Sequence, residues 1–173
     1  MDNLFCIHRE QDVERYNNLV LELDSVDLKP KFIEPEPIDY FLEETKMFNR
    51  NMDSLRRTTI KIIQHAIDNN LESISIMEDD CYFDKLKFDL FLGSEKPKEF
   101  SFIHLACSGS PKLKIEPTIG SCHKLGSTYS CQFYIIHNSI FETYIAMLKE
   151  NKLPIDVITS YLHYKRNDSY LVQ

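Results

Sequence analysis

The chain has 173 residues, 43% of them hydrophobic and 27% charged, with a formal net charge of −7. That size suits one hydrophobic core, so a single domain over residues 1–173 is expected, and the composition excludes a disordered or fibrous chain. The negative balance argues against a protein whose main task is to coat nucleic acid, the 4 glycines exclude Walker-type and dinucleotide-type phosphate loops, and no apolar run reaches the roughly 20 residues of a membrane span.

Leu4-Phe5-Cys6-Ile7 is a short apolar run that reads as a strand, and Val13, Tyr16, Val20 and Leu23 then recur at helical spacing. Lys31-Phe32-Ile33 reads as a second strand. Pro35 and Pro37 must interrupt regular structure, because proline fixes the backbone and removes a donor, and an irregular segment is expected to run to about residue 52. Asp53 or Ser54 then caps a helix whose stripe is Leu55, Thr59, Ile62, Ile63, Ala66 and Ile67, ending near Asn69-Asn70. Residues 72–77 form a strand with Ile74 and Ile76 on one face and small serines on the other, as in an interior strand packed on both sides. Residues 100–106 are a further buried strand, bounded by the turn-like stretch 107–111. Residues 112–127 show no period. Residues 129–137 read as a strand, and Asn138 as the cap of a helix with Ile140, Phe141, Tyr144, Ile145 and Leu148 on one face. A last helix follows Pro154-Ile155-Asp156. Strands alternating with helices predict an α/β fold, a three-layer sandwich around a mostly parallel central sheet.

Glu78-Asp79-Asp80 directly follows the third strand. A buried strand delivers its last residues to the C-terminal edge of the sheet, where open α/β folds bind ligands. Three adjacent carboxylates raise one another's pKa unless a cation or strong donors stand near, so the triplet points to a metal site. The plainer alternative is a solvated turn in which Asp80 caps a following helix. The five cysteines (Cys6, Cys81, Cys107, Cys122, Cys131) contain no CxxC pair, which points to reduced core thiols rather than a zinc or disulfide framework. Cys81, adjoining the acids, stands where exposure is most expected.

Three stretches carry a family resemblance. They are Ile7-His8-Arg9-Glu10-Gln11-Asp12-Val13-Glu14-Arg15 after the first strand, Ala66-Ile67-Asp68-Asn69-Asn70 leading through Ile76-Met77 into Glu78-Asp79-Asp80, and Pro154-Ile155-Asp156 before the last helix. In this order they resemble the GT-A type glycosyltransferases, especially family 25, which includes lipopolysaccharide-biosynthesis and collagen sugar transferases. The likeness spans nearly the whole chain. It departs where the family commonly has Gly-Cys and Ser-His before the central helix: Met52-Asp53-Ser54-Leu55-Arg56-Arg57-Thr58 stands there, with Arg56 and Arg57 either replacing that function or facing solvent.

The resemblance implies that Glu78 and Asp80 are the outer positions of an Asp-x-Asp-like signature holding Mn²⁺ or Mg²⁺, with Asp79 between them on the phosphates. His163 is the histidine placed to resemble a third metal ligand, or is a satisfied packing group. His8 and Arg9 face the nucleotide, or belong to a solvated loop. His65 reads as structural. Asp156 is the general base of an inverting transfer, or the N-cap of the last helix. The implied reaction moves a hexose from a nucleotide diphosphate sugar, a UDP sugar above others, to a hydroxyl of a saccharide or another acceptor, with a nucleic-acid acceptor not favoured. The rivals are a non-catalytic binding protein on the same fold and another metal-dependent phosphotransfer enzyme; the latter expects a nucleophilic Asp where Glu78 stands. Met1-Asp2-Asn3 lacks the basic start of a signal peptide, so a cytoplasmic location is expected. Abundant Lys, Ile, Asn and Tyr with scarce Gly and Ala suggest an AT-rich microbial or viral genome, and for a virus the host cytoplasm.

Overall fold

The apolar run Leu4–Ile7 forms β1, buried along its whole length, and α1 (Val13–Ser25) follows it. The computed structural model describes residues 1, 3–37, 47–107, 111–114, 116–128, 131–151 and 153–173. Continuing along the chain are β2 (Lys31–Ile33), α2 (Met47–Asp68), β3 (Ser73–Glu78), α3 (Lys85–Gly93), β4 (Phe102–Cys107), β5 (Lys112–Leu113), β6 (Cys122–Ser127), β7 (Cys131–His137), α4 (Phe141–Glu150), α5 (Ile155–Arg166) and β8 (Ser169–Val172).

The strands form one sheet in the order β2-β1-β3-β7-β4-β8-β6-β5. β1–β2, β1–β3 and β4–β8 pair parallel, whereas β3–β7, β4–β7, β6–β8 and β5–β6 pair antiparallel. The expectation of a mostly parallel sheet is therefore corrected to a mixed one. Followed across the sheet, these pairings leave only β6 and β7 running against the other strands. Each reversed strand lies between two forward ones, so two reversals suffice to make most neighbours antiparallel.

Helices cover both faces. Ile62, Ile63 and Ala66 of α2, Phe141, Tyr144 and Leu148 of α4, and Ile158 and Leu162 of α5 pack with Phe5, Ile7, Ile74, Ile76, Phe102 and Ile136. The Tyr144 hydroxyl and Thr159 Oγ1, 2.6 Å apart, tie α4 to α5 inside this layer. On the opposite face, Leu19 and Leu23 of α1 and Phe88 of α3 pack with Leu4, Cys6, Met77 and Phe133. Alternation along β1 and β3 feeds both cores, which is why β1 and the four middle residues of β3 are buried. The amphipathic stripe of α1 is narrower than its apolar spacing suggests: Leu19 and Leu23 are buried, while Val13 and Tyr16 are exposed.

Several local expectations change. Helix α2 begins at Met47, ahead of Asp53 and Ser54, and Asp53 instead binds Arg56 and Arg57 of its own helix. Residues 38–46 of the expected irregular segment, 108–110 of the expected turn, and 129–130 of the expected strand start lie outside the described residues. His137, not Asn138, caps the helical turn that leads into α4, accepting from the Ser139 N–H. The stretch without a period contains β5 and β6. Helix α3 is capped by Asp84, which accepts from the Lys87 N–H at 3.2 Å, so Asp80 is not the cap. Cys81 is buried rather than exposed, and its thiol donates to the Gln132 carbonyl at 3.0 Å. Among the described residues, no helix is long and apolar enough to cross a membrane.

Candidate functional site

All forward strands end at one rim of the sheet. β1 delivers His8 and Arg9 there, and β3 delivers Glu78, Asp79 and Asp80. Helix α1, which follows β1, starts at this rim, and so does α5, because it descends the sheet before β8 returns. Their first turns present the positive end of the helix dipole to the same edge. A cavity of about 330 Å³ opens here, lined by His8, Arg9, Arg15, Asn51, Glu78 and Asp79 among others. Arg9, Pro35, Asn51 and Ser54 also line an adjoining groove of about 700 Å³.

The proline-containing segment is pinned as the outer wall of this groove. The Glu36 N–H donates to Thr58 Oγ1 at 2.8 Å, Ser54 Oγ donates to the Glu36 carbonyl at 2.7 Å, and Lys61 Nζ holds the Glu36 carboxylate at 2.5 Å. Residues with no ladder partner of their own thereby take partners from α2.

Asp79 is the anchored acid of the triplet. His8 Nδ1 lies 2.9 Å from one carboxylate oxygen, and Arg15 Nη1 donates to the other at 2.9 Å. The hydrogen bond and charge of Asp79 push the Arg15 guanidinium pKa up, so Arg15 is charged throughout the working range. The His8 ring is buried against Tyr16 at 5.4 Å and Phe32 at 6.0 Å between centroids, which fixes its direction toward Asp79. Arg9 Nη2 donates to Asn51 Oδ1 at 2.7 Å, so α2 sets the position of the second guanidinium.

Glu78 is different. Its carboxyl has no hydrogen-bond or ion-pair partner among the described residues. Burial, and then the charges of Asp80 and Asp79, push its pKa up to about 7, and Asp156 on α5 adds to the rise. Asp80 makes one long contact, with Gln132 Nε2 at 3.5 Å. The rim thus holds one neutralised acid and two acids with coordination capacity to spare.

The structure brings His8, Arg9, Glu78 and Asp79 to one cavity and sets Asp80 beside it. Asp156 stands close enough for its charge to reach Glu78. It occupies the first turn of α5 behind the cap position held by Pro154, and its Oδ1 accepts from the Val157 N–H at 2.9 Å. His163 is not brought to this rim. It lies seven residues beyond Asp156, about 10 Å along the helix axis. There it is buried, with Nδ1 2.8 Å from Ser169 Oγ and Nε2 3.0 Å from His104 Nε2. Both ring nitrogens are engaged in the interior, so the ligand expectation for His163 is corrected to a packing role. Arg56 and Arg57 do not replace the missing family motif: both bind Asp53, and Arg56 also donates to the Asn151 carbonyl at 2.8 Å.

Arg15, Asn51 and Gln132 are site residues that sequence reasoning passed over. Arg15 stands in the first turn of the helix after the first strand, three residues past Asp12, a placement that points a long cation back over the strand end. Asn51 and Gln132 carry no comparable signal.

Among the described residues, no three His, Cys, Asp or Glu side chains are arranged to hold a metal. The oxygen donors Glu78 and Asp80 nevertheless fit Mg²⁺ or Mn²⁺, which bind through one or two carboxylates and take their remaining ligands from water and substrate phosphates. They do not fit a closed structural cage.

No family model matches the chain, and no curated protein matches it in sequence. Among solved structures it is similar to the crystal structure of a glycosyltransferase involved in the glycosylation of the major capsid of PBCV-1. The TM-score is 0.52 at 16% identity, over 97% of this chain and 79% of that one. The mixed sheet, with its acidic rim, therefore belongs to a fold that a glycosyltransferase also adopts.

Proposed function

We propose that this protein is a metal-dependent glycosyltransferase that moves a hexose from a nucleotide diphosphate sugar, a UDP sugar above others, to a hydroxyl acceptor. The observation that carries the reading is the meeting of opposite charges in one cavity, which Arg9 and Arg15 line together with Glu78, an acid with no partner among the described residues. A bare anion is repelled by Glu78, and a bare cation by the guanidinium groups. A pyrophosphate travelling with a divalent cation satisfies both.

In this reading Glu78 and Asp80 would hold Mn²⁺ or Mg²⁺, and Arg9 and Arg15 lie against the phosphates. The cation, when bound, neutralises charge on the departing pyrophosphate. Asp79, clamped by His8 and Arg15, keeps the acidic loop in place rather than competing for the ion. The acceptor oxygen bonds to the anomeric carbon as the carbon–oxygen bond to phosphate breaks, and that electron pair leaves with the nucleotide diphosphate. Asp156 is the base that takes the acceptor's proton in an inverting transfer. The shared fold with a glycosyltransferase supports the reading.

Thermal melting with Mn²⁺, with UDP and with both tests it, because a ligand bound by the folded state alone raises stability by mass action. The expected result is a joint shift larger than either single shift and absent in Asp80→Ala. A flat response to every nucleotide points instead to a non-catalytic protein on this fold.

A further inference from the structure

A second cavity, of about 490 Å³, opens at the same rim on the other side of the acidic loop. The first lies over the ends of β1 and β3; this one lies over β7, β4 and β8, and Gln132, Leu105 and Leu171 line it. Resting on the donor reading above, we propose that this second cavity is the acceptor site and that it takes a saccharide ring.

The acidic loop joins the two cavities. Glu78 and Asp79 line the first, whereas Tyr82, Phe83 and Asp84 line the second. Gln132, on the wall of the second, reaches back to Asp80. A group held in the second cavity therefore lies beside the acids that face the donor, as an attacking hydroxyl must.

The wall is aromatic and held in advance. Phe83 meets Phe88 at 5.6 Å and Phe133 at 5.7 Å, edge to face, and its N–H donates to Glu22 Oε2 at 3.0 Å. Tyr82 stands beside it with 77% of its surface exposed, an unusual exposure for a large ring at a cavity mouth. Lys87 and Gln132 add polar groups, and Lys87 makes no salt bridge among the described residues. An apolar wall with a few polar groups around it matches a pyranose ring, which has one C–H face and a rim of hydroxyls. An extended peptide is disfavoured, since β7, β4 and β8 each have a neighbour on both sides and offer no open edge for a strand to join.

The test follows amide NMR spectra of the full chain with Mg²⁺ and UDP present, titrated with methyl β-D-glucopyranoside, methyl β-D-galactopyranoside and methyl α-D-mannopyranoside. At least one glycoside is expected to shift the Tyr82, Phe83 and Gln132 signals without displacing UDP. Tyr82→Ala should weaken that binding by about tenfold. Leu86→Ala, exposed on α3 four residues further on and lining neither cavity, should leave it unchanged. If UDP and Mg²⁺ bind but no glycoside shifts these signals, the saccharide site is overturned while the donor reading stands. If UDP and Mg²⁺ produce no response in the wild-type chain, the donor reading falls and the acceptor assignment falls with it.

Discussion

The acidic rim and the buried histidine pair are built from ionisable groups of the same protein, yet their surroundings drive them in opposite directions. At the rim, Glu78 shares a cavity wall with Asp79, and burial together with neighbouring acids raises its pKa to about 7. In the interior, burial lowers the pKa of His104 well below its usual range and that of His163 to about 4. The two rings stay neutral and share a hydrogen between their Nε2 atoms, with Ser169 on the far side of His163. The interior cluster has resolved its charge by giving it up, as a structural site does. The rim has kept charge that the protein itself does not neutralise, and a cavity stands open to whatever does.

The largest expected effect separates the two directly. Asp80→Ala should reduce sugar transfer by about 10²–10³-fold, the scale of losing a group that stabilises developing charge, while leaving the melting temperature of the ligand-free protein unchanged. His163→Ala should do the reverse. It leaves His104 Nε2 and Ser169 Oγ buried without their partner and opens a cavity beside Phe102, costing about 3 kcal/mol in urea denaturation. The UDP and Mn²⁺ response of the molecules that remain folded should be intact. Replacing both rings at once, His104→Phe with His163→Leu, should recover part of that stability, because the two facing Nε2 atoms are removed together and only Ser169 Oγ stays unpaired. A loss of nucleotide response in this double variant breaks the division drawn here.

Glu78→Gln sharpens the contrast through pH. Glu78 loses its proton near 4.5 in the unfolded chain and near 7 in the folded one, so between those values the unfolded state binds fewer protons. Stability contributed at this position is therefore lost as pH rises from 4.5 to 7. His163 titrates the other way, from 6.5 unfolded to about 4 folded, and destabilises the fold as pH falls through that window. His104, also lowered by burial, adds to the rise contributed by His163, so the wild-type curve of stability should climb with pH between 4.5 and 6.5, held back by Glu78. In Glu78→Gln it should climb more steeply and lie about 2 kcal/mol above wild type at pH 8, with no difference at pH 4. A gain in stability bought by a loss of Mn²⁺ binding is the expected signature of a functional acid.

These two regions also differ in how far the sequence discloses them. The acids are consecutive and follow an apolar run, so strand, rim and charge are all readable from nine or so adjacent letters. Long stripes disclose α2 and α4 in the same way. β8 has only four residues, Ser169–Val172, at the end of the chain, and its place inside the sheet depends on pairing with β4 and β6 rather than on any local pattern. β6 runs Cys-His-Lys-Leu-Gly-Ser, too polar to show a period, and its burial is decided by neighbours far along the chain. The mixed sheet was hidden for the same reason: alternation of strands and helices does not say which strand is inserted backwards. His163 illustrates the cost of reading a residue type without its depth, since one helix carries Asp156 at the rim and His163 inside.

Arg15 offers the smallest and most discriminating test. Its guanidinium is 57% exposed while the Asp79 carboxylate it holds is only 10% exposed, so solvent screens most of their attraction. Arg15→Ala should lower folding stability by no more than about 1 kcal/mol, because His8 still engages the other oxygen of Asp79. If Arg15 only braces the acidic loop, the alanine and lysine variants should bind UDP with the wild-type salt dependence. If it also lies against the phosphates, alanine should weaken UDP binding several-fold at low ionic strength and less at high, since screening shortens the reach of an exposed cation. Lysine, a point charge without the planar fork, should restore part of that affinity and leave the Asp79 clamp loose. Isothermal titration of UDP in the presence of Mn²⁺ at two salt concentrations separates the outcomes. The same affinity and the same salt dependence in all three proteins remove Arg15 from the binding site and leave Arg9 as the cation facing the nucleotide.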